Sequence, residues 1–116
     1  MFKEEDLNTY INNYIAKCND LGLTFSKVIL FGSYAKKNPH ECSDIDLALV
    51  SHAFTGFPLD DRKKISKANI LFSEIEPHTF SESYFANGDP FIDEIKKTGI
   101  EFNISDEGSS QMVAEP

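Results

Sequence analysis

Leu7, Tyr10, Ile11, Tyr14, Ile15 and Cys18 recur at spacings of three and four, the repeat of one helix face. The spacing predicts an amphipathic helix from Glu4 to Leu21, ended near Gly22. Lys27-Val28-Ile29-Leu30-Phe31 is a short apolar, β-branched run stopped by Gly32-Ser33, and reads as a buried strand. Tyr34 to Lys37 fits a short turn of helix before the Asn38-Pro39 break. Asp44 to Val50 is the clearest second strand, with Asp44 and Asp46 on one face and Ile45, Leu47 and Leu49 on the other. Leu59 to Phe72 reads as a second helix and Ile75 to Phe80 as a third strand, with Glu74 and Glu76 sharing a face. A short helix from Ser81 and another from Pro90 to Thr98 follow. Ile100 to Ile104 reads as an edge strand or extended segment. Helices alternating with short strands give an α/β (α+β) domain, whose strand order the pattern does not fix.

Composition narrows this picture. A chain of 116 residues with 41% hydrophobic content, ten Phe among them, suits one domain with one core and is too apolar for a disordered chain. The domain is expected over residues 1–104. Residues 105–116 hold Gly108-Ser109-Ser110 and little apolar content, and read as an acidic, solvated tail. The formal net charge is −8, and four of the acids (Glu101, Asp106, Glu107 and Glu115) lie after residue 100 with no base among them. That balance argues against a sequence-independent grip on nucleic acid, which depends on Lys and Arg at phosphates. No apolar run reaches the roughly 18 residues of a membrane span, and the acidic start does not resemble a signal peptide. Cys18 and Cys42 are too few for a disulfide framework, which fits a reducing, cytoplasmic setting. The expected partners are therefore a small molecule or another protein.

The chemistry concentrates between Phe31 and Leu47. A strand ends at Gly32-Ser33, ten residues follow, and the next strand opens Asp44-Ile45-Asp46. Gly32 lacks a Cβ, so the backbone there can bend freely and approach a phosphate closely. Ser33 offers a hydroxyl and an N–H, and Lys36 and Lys37 add positive charge. Two carboxylates on one strand face repel each other unless a cation sits between them, and hard oxygens suit Mg²⁺ or Mn²⁺. With a third carboxylate they could hold two ions, an arrangement suited to phosphoryl chemistry.

Gly-Ser, ten residues and Asp-x-Asp between two strands resembles the pattern of the polymerase-β-like nucleotidyltransferase superfamily. The small size and the Ser43-Asp44-Ile45-Asp46-Leu47 run are similar to its minimal nucleotidyltransferase (MNT) branch. The resemblance extends over residues 5–104, with its specific part at Gly32 to Leu47. It implies a small mixed β-sheet flanked by helices, and Mg²⁺-dependent transfer of a nucleoside monophosphate from an NTP, with ATP expected, to a hydroxyl acceptor. By position, Gly32 and Ser33 would hold the triphosphate, helped by Lys36 and Lys37. Asp44 and Asp46 would ligate metal. Glu76 would be the third carboxylate, with Glu74 second. Two departures stand out: Lys36-Lys37 replaces the Arg-Gly pair common in the family, and Glu replaces Asp at the third position. The resemblance further implies a small helical partner of the higher-eukaryote-and-prokaryote nucleotide-binding (HEPN) type, an RNase toxin that the nucleotidyltransferase neutralises by AMPylating a tyrosine. An overall acidic surface would suit a basic RNA-handling partner.

Blander readings stand beside these. Asp-x-Asp alone is often a solvated strand end, Gly32 a plain turn residue, and Lys36, Lys37 and Glu76 ordinary surface charges. His40, His52 and His78 are isolated, with no ligand partner at helical spacing; His78, following Glu76-Pro77, could approach the site, but a structural or surface role is the favoured reading. Cys42 has no activating base nearby. The Phe and Tyr excess reads as core. Two functional rivals follow: a nucleotide-binding module that neutralises its partner by complex formation alone, and transfer to a small molecule such as an aminoglycoside.

Overall fold

The apolar spacing of the N-terminal segment produces helix α1, Glu4–Asp20, which buries Leu7, Ile11, Tyr14, Ile15 and Cys18. The computed structural model describes residues 3–37 and 44–104. The Asn38-Pro39 break, His40, Cys42 and the expected tail over 105–116 lie outside them. After α1 come β1 (Lys27–Phe31), β2 (Ile45–Ser51), α2 (Pro58–Leu71), β3 (Ile75–Ser81), α3 (Glu82–Asn87), α4 (Pro90–Thr98) and β4 (Ile100–Phe102). Each expected helix and strand is present, with ends moved by one or two residues. The last strand stops at Phe102 rather than Ile104.

The strands form one sheet in the order β3-β2-β1-β4. β1 runs antiparallel to both β2 and β4, while β2 and β3 are parallel. This is the expected small mixed sheet flanked by helices. Parallel neighbours need a crossover connection, and α2 supplies it. Pro77, which has no N–H to give a ladder, sits on the edge strand β3, where that loss is tolerated.

Side chains alternate across the sheet and make two cores. On one face Val28, Leu30, Ile45, Leu47, Leu49 and Ile75 pack with the buried sides of α1 and α2. On the other, Ile29, Ala48 and Val50 pack with Phe85, Ile92 and Ile95 of α3 and α4. Among the described residues no helix is long and apolar enough to cross a membrane.

Two buried polar arrangements fix the crossover. The Tyr14 hydroxyl donates to Asn69 Oδ1 (2.6 Å) and Asn69 Nδ2 donates to the Ile75 carbonyl (3.0 Å), so α1, α2 and the start of β3 are joined by one chain of hydrogen bonds. Asp61, with its side chain 1% exposed, accepts the N–H groups of Thr55 (2.8 Å) and Gly56 (2.9 Å) and the Thr55 hydroxyl (3.0 Å). Burial opposes ionisation of Asp61, but these donors and the Lys64 ammonium outweigh it and hold the carboxyl below its usual range.

Replacing Asp61 with Ala strands the Thr55 and Gly56 donors and is expected to cost about 2–3 kcal/mol, read from urea unfolding. Because its folded pKa is depressed, the wild-type contribution is complete above the ordinary carboxylate pKa. It disappears as pH falls through the lower folded value. An unchanged unfolding midpoint in the variant would contradict this role.

Candidate active site

The pairing register decides which polar groups meet. Phe31 of β1 lies opposite Asp46 of β2, and Asp46 lies opposite Glu76 of β3. Partners in register project from the same face of a sheet, so Phe31, Asp46 and Glu76 form one row across three strands. The next row inward is Ile29, Ala48 and His78. Adjacent strands are only about 4.8 Å apart, so Asp46 and Glu76 are lateral neighbours on one sheet face. Asp44, just before β2, is exposed and shares their side by alternation. Glu74 precedes β3. Its carbonyl accepts the Ile45 N–H (2.9 Å) and its N–H donates to the Tyr10 hydroxyl (3.3 Å), so its backbone anchors the strand start while its side chain is exposed.

Beside this row the chain leaves β1 through Gly32, whose φ of 78° lies in the left-handed region. A Cβ there would run into Oδ2 of Asp46. Glycine is thus required twice, for the backbone turn and for the space that the carboxylate occupies. Lys36 N–H donates to the Gly32 carbonyl (3.1 Å) and Lys37 N–H to that of Tyr34 (3.2 Å), closing the short helical turn that the sequence suggests.

Burial raises the Asp46 carboxyl above its ordinary range. The His78 hydrogen bond and charge counter this, and the charges of Asp44 and Glu76 add to the rise. Asp46 is thus the carboxyl on which the charges of Asp44, Glu76 and His78 converge. His78 Nε2 lies 3.4 Å from Asp46 Oδ1. Its ring meets Phe31 edge-on, with centroids 5.0 Å apart.

Gly32, Ser33, Asp44, Asp46 and Glu76 all belong to this end of the sheet. Lys36 is exposed on the turn. Lys37 points elsewhere: its ammonium is 4.0 Å from Glu4 of α1, beside a cavity of about 300 Å³ lined by Leu7, Leu30, Tyr34 and Phe102. That cavity is on the α1 side of the sheet, away from the carboxylate row. His78, for which the sequence favours a structural or surface role over an approach to the site, does reach Asp46. The signal was its position two residues after Glu76, on the same strand face. The aromatic excess is also not all core: Phe25, Phe54 and Phe85 are buried, but Phe57, Tyr84 and Phe91 are exposed. Cys18 is buried in the first core, which pushes its thiol up to about 12 and away from reactivity.

The model of the polymerase β nucleotidyltransferase family matches residues 10–107. The chain belongs to that family. A solved structure of a nucleotidyltransferase candidate from Sulfolobus solfataricus is similar in fold, with a TM-score of 0.61 and 16% identity, over 90% of this chain and 86% of that one. No curated protein matches. The nucleotidyltransferase domain thus has the architecture that the Gly-Ser…Asp-x-Asp pattern implies.

Members of the family use divalent metals, and the donor chemistry here fits them: hard carboxylate oxygens whose mutual repulsion a cation would relieve. Among the described residues, no three His, Cys, Asp or Glu side chains are gathered closely enough to hold an ion as they stand. Closing Asp44 and Glu76 onto Asp46 would supply the set.

Two outcomes follow from this arrangement. A carboxyl with a raised folded pKa binds its proton more tightly when folded, so ionising it costs stability at pH 7. Asp46→Asn should therefore melt no lower than wild type in metal-free buffer, and a lower melting temperature would contradict the electrostatic account. Gly32→Ala should lose about 1–2 kcal/mol from the left-handed backbone alone, plus the displacement of Asp46. An unperturbed urea midpoint would show that the turn is not constrained in this way.

Proposed function

We propose that this domain transfers a nucleoside monophosphate, AMP from ATP, to a hydroxyl of a second molecule. The observation that carries the reading is the Asp46–Glu76 register beside the left-handed turn at Gly32. Gly32 and Ser33 would receive the triphosphate, with Lys36 contributing positive charge at the turn, whereas Lys37 is turned toward Glu4. Asp44, Asp46 and Glu76 would hold Mg²⁺, one or two ions, which offsets negative charge on the phosphates. The acceptor oxygen bonds to the α-phosphorus, the bond from that phosphorus to the bridging oxygen breaks, and pyrophosphate leaves. Glu76, at the outer strand, is placed to take the acceptor proton. Glu74 is the weaker candidate because it lies before the strand and is exposed.

The acceptor in this reading is a tyrosine of a small helical protein of the HEPN type, and the domain is its antitoxin, as in the MNT branch it resembles. The exposed face of α2 is the surface that suits a protein partner. Leu59 and Ile70 lie on it three turns apart, 81% and 78% exposed, with Lys63 and Ser66 between them. Arg62, Lys63 and Lys67 surround them. The overall acidity suggested a basic partner, but this particular patch suits an acidic one.

One observation favours a second reading. Asp46 Oδ1 is engaged by His78, and the three carboxylates are not closed into a ligand set. A domain that binds nucleotide and neutralises its partner by complex formation would be compatible with both.

Intact-mass spectrometry of the helical partner, incubated with the domain, ATP and Mg²⁺, separates the two. The transfer reading expects mass increments of whole AMP units, lowered about 100-fold or more in rate by Asp44→Asn or Asp46→Asn. A stable complex with no mass change, formed equally by the variants, would overturn transfer in favour of binding.

A further inference from the structure

The carboxylate row is walled on its inner side by rings. Phe31, His78 and Phe91 meet pairwise edge-on, with centroids 5.0 Å (Phe31–His78), 5.6 Å (Phe31–Phe91) and 5.9 Å (His78–Phe91) apart. His78 shares its row with Ala48, which is fully buried and small. The imidazole can therefore lean across β2 to reach both Asp46 and Phe31. Phe91 closes the group from α4.

Phe91 differs from its helix neighbours. Ile92 and Ile95 are fully buried in the second core, whereas Phe91 is 45% exposed. Phe31 and His78 meet its ring edge-on and Phe80 lies tilted against it at 6.3 Å, and what these leave uncovered is open to solvent. The position is also preorganised. Asp89 caps α4 by accepting the Ile92 N–H (2.7 Å), Pro90 occupies the first turn, and the Tyr84 hydroxyl donates to the Asp89 carboxylate. A ring held in place by its helix cap and half-exposed near the carboxylates offers a surface on which a planar ligand can stack.

We propose that Phe91, backed by Phe31 and His78, is the platform for the nucleobase of the bound nucleotide. The proposal rests on the nucleotide reading above and adds the residue that recognises the ring. Contiguity favours the donor nucleotide as the ring's source. Phe31 is the residue immediately before Gly32, so the aromatic group and the proposed phosphate turn are one continuous piece of chain. A ligand with phosphates at Gly32 and Ser33 and its α-phosphorus near Asp46 brings its nucleoside to the edge of this wall. Stacking on an aromatic face tolerates any base, so the platform gives affinity for a nucleoside more than choice among nucleosides.

Calorimetric titration of the full chain with Mg-ATP and with Mg-tripolyphosphate tests this, because the second ligand keeps the phosphates and lacks the ring. Phe91→Leu should weaken ATP about tenfold and leave tripolyphosphate within about twofold. Phe91→Trp, which keeps a ring, should retain ATP binding. Equal weakening of both ligands by Phe91→Leu would overturn the platform, since that is what general damage to the site would give. Unchanged ATP affinity in Phe91→Leu, or equal loss in Phe91→Trp and Phe91→Leu, would overturn it too. If wild type binds neither ligand, the nucleotide reading itself fails, which these variants do not need to reveal.

Discussion

Carboxylates that repel one another do not gather by themselves, so the fold must hold Asp46 against Glu76 by forces acting elsewhere. The parallel register of β2 and β3 does this. It is set on the opposite face of the same strands, where Ile45, Leu47 and Leu49 lie opposite Ile75, Pro77 and Thr79 and the first two rows are buried against α1 and α2. A slip of one residue would turn those apolar side chains to the other face. The chain Tyr14–Asn69–Ile75 adds a directional constraint at the strand start, and Phe72 reinforces it by edge-on contacts with Tyr10 and Tyr14 at 5.2 and 5.7 Å. Hydrophobic burial on one face thus holds together the electrostatic strain of the other.

The two faces divide their work accordingly. The α1–α2 face carries the larger core. The α3–α4 face carries a smaller core at one end of its rows and the carboxylates at the other, with Phe31, His78 and Phe91 at the boundary. This boundary explains the behaviour of Asp46. Burial takes water away from it, and Asp44 and Glu76 crowd it with like charge, so its ionised form is disfavoured and a cation would relieve that cost. Gly32 completes the arrangement by leaving room for that carboxylate where any other residue would intrude.

Much of this was legible in the sequence. Period-2 and period-3.6 patterns located β2 and α1 because each has one wet and one dry side. The Gly32-Ser33…Asp44-x-Asp46 spacing pointed to the candidate site because the backbone freedom and the paired charges are both unusual at strand ends. The third carboxylate was legible only in part: Glu74 and Glu76 share a strand face, and the pairing register, a long-range property, places Glu76 opposite Asp46. His78 ranked as structural or surface first because its partner is on another strand, although its spacing from Glu76 already put it on the same side. Phe91 had no local signal at all. An aromatic residue in the first turn of an amphipathic helix reads as core until the helix is seen to end beside the carboxylates.

The claim on which the account turns is that Asp46 and Glu76, with Asp44, form one cation site for a nucleotide. Electron paramagnetic resonance titration with Mn²⁺ in the presence of a non-hydrolysable ATP analogue tests it without needing the acceptor. The account predicts saturable Mn²⁺ binding that Glu76→Gln weakens by about tenfold or more, with Glu74→Gln close to wild type. Binding unaffected by Glu76→Gln, or lost only with Glu74→Gln, would contradict it.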